Sequence, residues 1–162
     1  MLRDTSHILE MGTGWTRAMN ENDVGSDPAM ARAKDATARA WRALEDEWGL
    51  FDEDEVTDLL AEDERMGSVE NLRERGELLG VHRGGRYLCP GFQFDRRGGS
   101  VRPWVAPLLT LARESRRSAE DVALRMIGPT PWIVGPHRRP VDHISDTPML
   151  LDVARNAWDS EW

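Results

Sequence analysis

The stretch LLGVHRGGRYLCPGFQFD, residues 78–95, decides the fold of this chain. Two short apolar runs flank Gly84-Gly85 and end at Pro90-Gly91, which is the pattern of a β-hairpin followed by a turn. A helical pattern that ends at Arg75-Gly76 leads directly into this hairpin. Helix, hairpin and turn in this order predict a winged helix-turn-helix unit.

Two short helices are predicted ahead of the hairpin. Asp52 can cap a helix over residues 53–61, whose inward positions are Val56, Leu59 and Leu60. After a loop to Gly67, a second helix carries Val69 and Leu72. We therefore expect a winged helix-turn-helix domain over residues 50–97.

This predicted domain has little of the chemistry that reads DNA. The net charge is -8, and residues 45–64 hold eleven carboxylates and no Lys or Arg. Around the start of the second helix, Met66, Gly67, Glu70 and Asn71 offer no cation to a DNA groove. The candidate DNA contacts are arginines of the second helix and the hairpin: Arg73, Arg75, Arg83 and Arg86. Because the acidic face repels phosphate, we expect a degenerate DNA-binding fold.

The amino-terminal part is predicted to contain a flexible segment, residues 1–25, and a long amphipathic helix, residues 26–49. Asp27 and Pro28 start this helix. Its apolar stripe consists of Met30, Ala33, Thr37, Ala40, Trp41, Leu44 and Trp48. Three interpretations stay open: the stripe packs on its own domain, it forms a homodimer through residues 28–48, or it binds a partner protein.

Residues 98–162 are predicted to form a small helical domain stiffened by proline. One helix starts near Pro103, a second runs from the Ser118 cap to Ile127, and a last one covers residues 149–158. Between them, the prolines at 129, 131, 136 and 140 exclude a continuous helix and impose an extended path.

Two motifs resemble the Xre/MbcA/ParS-like antitoxins: HRGGRYLCPGFQFD at residues 82–95 and IGPTPWIVGPHRRPVDHI at residues 127–144. The resemblance spans about residues 52–155 and implies that the carboxyl-terminal region binds a RES-domain toxin. It departs from the family pattern at Thr130 and Trp132, which puts the identity of the partner in question. The partner-binding residues that it suggests are Pro129, Pro131, Trp132, Ile133, Arg139, Trp158, Glu161 and Trp162.

The sequence contains no recognisable catalytic or metal-binding motif. Cys89 is the only cysteine, and the four histidines lack ligand spacing. There is no P-loop, nucleophile elbow or complete dinucleotide motif. We expect neither an enzyme nor a bound cofactor or metal. The chain also lacks a long apolar run or a signal peptide, so the sequence favours a cytoplasmic protein without membrane contact.

The sequence thus predicts a mainly α protein with one β-hairpin. The first functional hypothesis is an antitoxin-like protein that neutralises a RES-type, NAD-consuming toxin by occluding its active site. The second is a transcriptional autoregulator that makes weak contact with DNA. The third is an acidic DNA mimic that inhibits a nucleic-acid-binding protein, because carboxylates can imitate phosphates.

Overall fold

The computed structural model describes residues 27–61, 63 and 67–160 of the chain. The chain divides into two compact units, with the division after Arg39. The predicted flexible segment, residues 1–25, lies outside the described residues. Helix α1 covers Pro28–Trp48. Its residues 28–39 are exposed throughout, whereas Trp41 and Leu44 are buried. Only the carboxyl-terminal half of the predicted apolar stripe therefore joins a core.

The winged unit follows α1. It consists of β1 (Leu50–Phe51), α2 (Glu53–Leu60), α3 (Val69–Glu74), β2 (Val81–Arg83) and β3 (Arg86–Pro90). Asp52 caps α2 by accepting from the Glu55 N–H at 2.9 Å, and the Glu55 carboxylate accepts from the Asp52 N–H at 3.3 Å. The predicted order of two short helices and a hairpin is confirmed.

The strands of this unit form an antiparallel sheet in the order β1-β3-β2. The β2–β3 turn places Gly84 and Gly85 at φ of 58° and 76°, a left-handed conformation that glycine adopts without strain. The pairing of Phe51 with Cys89 adds the third strand. This pairing, and a second small hairpin formed by β4 (Phe94–Asp95) and β5 (Ser100–Val101), were not predicted from the sequence.

Three helices follow: α4 (Val105–Glu114), α5 (Ala119–Ile127) and α6 (Thr147–Asp159). The Ser118 hydroxyl caps α5, and the Asp146 carboxylate caps α6 by accepting from the Met149 N–H at 3.1 Å. Helix α4 begins two residues after the predicted Pro103, and α6 begins two residues before the predicted start. No helix or strand interrupts residues 128–139, as the prolines predict.

Two groups of buried side chains hold the described part of residues 40–162 together. The smaller group joins α2, α3 and the sheet, and includes Val56, Leu72 and Cys89. The larger group joins the end of α1, β2 and helices α4 to α6, with Trp104 at 0% exposure. It crosses the predicted domain boundary at residues 97 and 98, because Phe92 stacks on Trp104 at 6.1 Å between ring centroids. The winged unit and the carboxyl-terminal helices thus share one core.

The fold is mainly α with small antiparallel sheets, as expected from the sequence. None of the described helices is both long enough and apolar enough to span a membrane. Two polar contacts fix the core further. The Trp104 indole donates to the carbonyl of Ile144 at 3.1 Å, and the Arg96 guanidinium donates to the carbonyl of Trp48 at 2.9 Å.

Candidate partner-binding groove

An apolar groove of about 600 Å³ is formed by α4, α5, α6 and residues 128–140, which we call the proline loop. Its lining residues are Leu108 from α4; Asp121, Val122, Leu124, Arg125 and Met126 from α5; Gly128, Pro129, Thr130, Pro131, Trp132 and Pro140 from the proline loop; and Leu150, Val153, Ala154, Ala157, Trp158 and Ser160 from α6 and its cap. A concave, mostly apolar surface of this volume can hold a drug-sized molecule or a few side chains of a partner protein.

Hydrogen bonds inside the proline loop fix its conformation. The Thr130 N–H donates to the carbonyl of Arg138 at 2.9 Å, and the Ile133 N–H donates to the carbonyl of Thr130 at 3.4 Å. The prolines restrict the backbone in addition. The loop leaves two apolar side chains in solvent, since Trp132 is 46% exposed and Val134 is 94% exposed. It therefore presents apolar surface from an ordered backbone.

The charged groups on the α5 side of the groove are paired with one another. The Asp121 carboxylate accepts from Arg125 Nε at 2.9 Å and lies 3.6 Å from Arg117 Nη1. Since two cations share one carboxylate, the pairing leaves no isolated negative charge on this side. A ligand of the groove would meet mainly hydrophobic surface here.

Four of the predicted partner-binding residues line the groove: Pro129, Pro131, Trp132 and Trp158. Trp132 is the most exposed large side chain among them. Trp158 is only 8% exposed, so it forms part of the groove wall and of the core. The structure thus places Trp158, near the end of α6, in the same groove as the three residues of the proline loop.

Another predicted residue, Ile133, is described by the structure and does not line the groove. Ile133 is 3% exposed and anchors the proline loop in the core. Its place in a segment without periodicity gave no signal for that burial. Glu161 and Trp162 lie outside the described residues.

Arg139, also predicted to bind a partner, holds the proline loop to α1. Its guanidinium donates to both carboxylate oxygens of Glu47, at 2.8 and 2.9 Å, and to Asp142 Oδ1 at 2.8 Å. Hydrogen bonds from Arg139 lower the pKa of Glu47 and of Asp142, and the two carboxylates raise the pKa of Arg139. Both terminal nitrogens of the guanidinium are hydrogen-bonded to carboxylates of the same chain, so the role observed for Arg139 is structural.

Two of the four candidate DNA contacts lie against aromatic rings. The Arg73 guanidinium lies 4.0 Å from the Tyr87 ring centroid and 3.3 Å from His82 Nε2. The Arg83 guanidinium lies 4.3 Å from the Trp41 ring centroid. Both cations are near the hairpin, but their flat faces are covered by rings of the same chain.

The other two candidates are in ion pairs. Arg86 Nη2 lies 3.1 Å from the Asp52 carboxylate, and Arg75 Nη2 lies 3.1 Å from the Glu77 carboxylate. Binding a phosphate at these positions would compete with existing carboxylates. All four arginines thus have intramolecular partners.

Among the residues considered for contact with a DNA groove, Glu70 and Asn71 lie on α3, and Gly67 lies just before it. Gly67, Glu70 and Asn71 are exposed, and Met66 lies outside the described residues. The helix has six residues, VENLRE, so its single arginine is accompanied by two glutamates. This composition gives the helix a net negative charge.

Cys89 is fully buried beside Tyr87 in the central strand. Burial raises the pKa of the Cys89 thiol to about 12 and that of the Tyr87 hydroxyl to about 12. A thiol in this state is a poor nucleophile because the thiolate is the reactive form. In the part of the chain that the structure describes, no group of three His, Cys, Asp or Glu side chains is placed to hold a metal ion.

Two features of the structure were not predicted from the sequence. The Asp121–Arg125 pair follows the i, i+4 rule and could have been found from spacing alone. Gln93 is 0% exposed and hydrogen-bonds to the backbone of Leu79 and Pro90. Nothing in the local pattern around Gln93 signals a buried amide, because the main partner, Leu79, is distant in sequence.

Comparison with known proteins supports the architecture. No family model matches the chain, and no curated protein matches it. Among solved structures, the NMR structure of Rv2175c is similar, with a TM-score of 0.55 and 20% sequence identity over 72% of this chain and 83% of Rv2175c. At this level of identity the similarity concerns the fold alone.

Proposed function

We propose that this protein is an antitoxin-like binding protein without catalytic activity of its own. Its carboxyl-terminal helices and the proline loop would bind a RES-type, NAD-consuming toxin and occlude the active site of that toxin. The observation that carries the proposal is the apolar groove with the exposed Trp132 at its edge. The sequence resemblance to Xre/MbcA/ParS-like antitoxins supplies the class of partner.

The energetics of the groove favour a protein partner. Tryptophan is enriched among the residues that dominate binding energy, particularly where its neighbours exclude water. Trp132 stands beside Pro129 and Pro131, which add apolar area without side-chain flexibility. Because the internal hydrogen bonds of the loop are already made, little conformational entropy would be lost on binding.

Electrostatics supports a basic partner. Exposed carboxylates cover the first turn of α2, including Glu53, Asp54 and Glu55. Complementary fields raise the association rate more than the final affinity. The acidic face would therefore speed the encounter, and the groove would provide specificity.

The test is an inhibition assay with a purified RES-domain toxin. We expect the wild-type chain to stop NAD consumption at equimolar ratio, and Trp132→Ala to weaken inhibition at least about ten-fold, as is typical of an interface hot spot. Val134→Ala is the matched control, because Val134 is exposed on the same loop but does not line the groove. Undiminished NAD consumption in the presence of excess wild-type chain would contradict the proposal.

DNA binding is the second candidate function, and the winged order of α2, α3 and the β2–β3 hairpin favours it. Arg83 and Arg86 flank the hairpin turn, where a wing can approach phosphates. Fluorescence anisotropy with duplex DNA would test it. Binding that Arg83→Ala weakens, and that Arg155→Ala on α6 does not, would favour a regulator; no binding at low salt would exclude it.

A further inference from the structure

The amino-terminal half of α1 carries an exposed alanine stripe. All of residues 28–39 are exposed, although the helix extends to Trp48. Alanines recur along one side at alternating steps of four and three residues: Ala29, Ala33, Ala36, Ala40 and Ala43. This is the spacing of the contact positions of a coiled coil. Small side chains at those positions allow the two helix axes to approach closely.

Charges of opposite sign flank this stripe at its two ends. Arg32, Arg39 and Asp46 follow one another at seven-residue steps, so they form one row beside the alanines. All three side chains are exposed. Within the described chain none of them makes an ion pair or a side-chain hydrogen bond. The row therefore has a basic end and an acidic end, both unpaired.

We propose that α1 pairs with α1 of a second copy in antiparallel orientation, through the alanine stripe. In that orientation the flanking row of one helix runs beside the same row of the other. In the register that overlaps the alanines from Ala33 to Ala43 of both helices, Arg32 of each copy lies opposite Asp46 of the other. Two-fold symmetry makes this ion pair twice. In a parallel pair, Arg32 would instead approach Thr37, and Asp46 would meet no cation of the row. The charge complementarity thus selects a second copy and its direction.

This dimer rests on α1 alone and does not depend on the ligand of the groove. Sedimentation equilibrium of the full chain is the test. Arg39 would lie near the two-fold axis opposite its own copy, so one like-charge contact opposes the two ion pairs and the dimer should be weak. We expect reversible association at low salt that weakens further as salt rises, because exposed ion pairs are screened. Arg32→Asp and Asp46→Arg should each raise the dissociation constant about ten-fold or more, since each places like charges opposite one another at both pairs.

An equimolar mixture of the two variants provides the decisive measurement. In the mixed pair, positions 32 and 46 would both be acidic in one chain and both basic in the other, so association should return. Lys34→Asp is the control, because Lys34 is exposed on the other side of the helix and should leave the dimer intact. Circular dichroism of each variant alone verifies the helix.

Three results would overturn the proposal. They are a wild-type chain that is monomeric at all concentrations, a dimer that neither reversal affects, and a mixture that stays monomeric although both variants are helical. If a reversed variant is unfolded, Arg32→Gln takes its place. That variant should weaken the dimer without introducing repulsion, and an unchanged dissociation constant would count equally against the pairing.

Discussion

Gln93 and Leu79, fourteen residues apart, are joined by two hydrogen bonds between a buried side-chain amide and a buried backbone. Gln93 Nε2 donates to the Leu79 carbonyl at 2.7 Å, and the Leu79 N–H donates to Gln93 Oε1 at 2.8 Å. The same Nε2 donates to the Pro90 carbonyl at 3.0 Å. The amide thus replaces a strand partner for the segment that leads from α3 into β2.

We expect Gln93→Leu to destabilise the protein by about 3 kcal/mol, because it leaves the buried N–H and carbonyl of Leu79 without partners. Urea unfolding followed by circular dichroism measures the change. Asn156→Leu, at an exposed amide on α6, is the control and should stay within about 0.5 kcal/mol of wild type. Equal stability of the two variants would show that the Gln93 hydrogen bonds contribute little.

Gly91→Ala should also destabilise the fold, by about 2 to 3 kcal/mol. A Cβ atom at Gly91 would lie 2.0 Å from the carbonyl oxygen of Trp48. The strand end could not move away without breaking the hydrogen bond from the Gly91 N–H to the carbonyl of Gly49, at 2.9 Å. Gly98→Ala is the comparison, since its nearest neighbour would be 3.4 Å away. The measurement is the melting temperature of both variants, which should be lower for Gly91→Ala than for Gly98→Ala.

Arg139 makes stability depend on pH. Arg139 lowers the pKa of Glu47 and of Asp142 in the folded chain. Their contribution to the free energy of unfolding is therefore fully present above the ordinary pKa values of 4.5 and 3.8. It is lost as the pH falls through the lowered folded-state values. We expect the melting temperature of wild type to fall more steeply below about pH 4.5 than that of Arg139→Gln.

The effect of Arg139 should be modest, about 1 kcal/mol or less, since the three side chains are partly exposed. The control is Arg155→Gln, which removes an exposed pair with Asp152 on α6. Its acid profile should follow that of wild type. Parallel profiles for Arg139→Gln and wild type would contradict the linkage.

Local signals account for the parts of the fold that could be predicted. The Asp52 cap, the Gly84-Gly85 turn and the proline-rich path each depend on a few adjacent residues. The pairing of Phe51 with Cys89 depends instead on contacts between segments far apart in sequence. A strand of two residues has no period, so the third strand of the sheet had no sequence signal.

The groove also depends on contacts between segments that are far apart in sequence. The sequence placed Pro129, Pro131 and Trp132 in a rigid segment, and the structure adds that they meet Trp158 at one surface. Ile133 is adjacent to Trp132, yet one is buried and the other exposed. In a segment without helical or strand periodicity, only tertiary packing decides which neighbour faces the core.

Burial should make the Cys89 thiol inert in the folded protein. With its pKa raised to about 12, almost no thiolate exists at pH 8, and the side chain is fully buried. We expect a thiol reagent such as DTNB to react only as fast as the chain unfolds, and rapidly in guanidinium chloride. Stoichiometric reaction of the native protein within minutes would mean that this strand opens readily.

Filling the groove should remove its affinity for apolar ligands while the fold persists. Ala157 lines the groove and is half-buried on α6, so a tryptophan there would extend into the cavity of about 600 Å³. We expect the wild type to enhance the fluorescence of the apolar dye ANS, and Ala157→Trp to abolish most of that enhancement. Ala38→Trp, on the exposed part of α1, is the matched control and should keep it. If Ala157→Trp binds the dye as wild type does, with an unchanged circular dichroism spectrum, the dye site is elsewhere and the groove is not the preferred apolar surface.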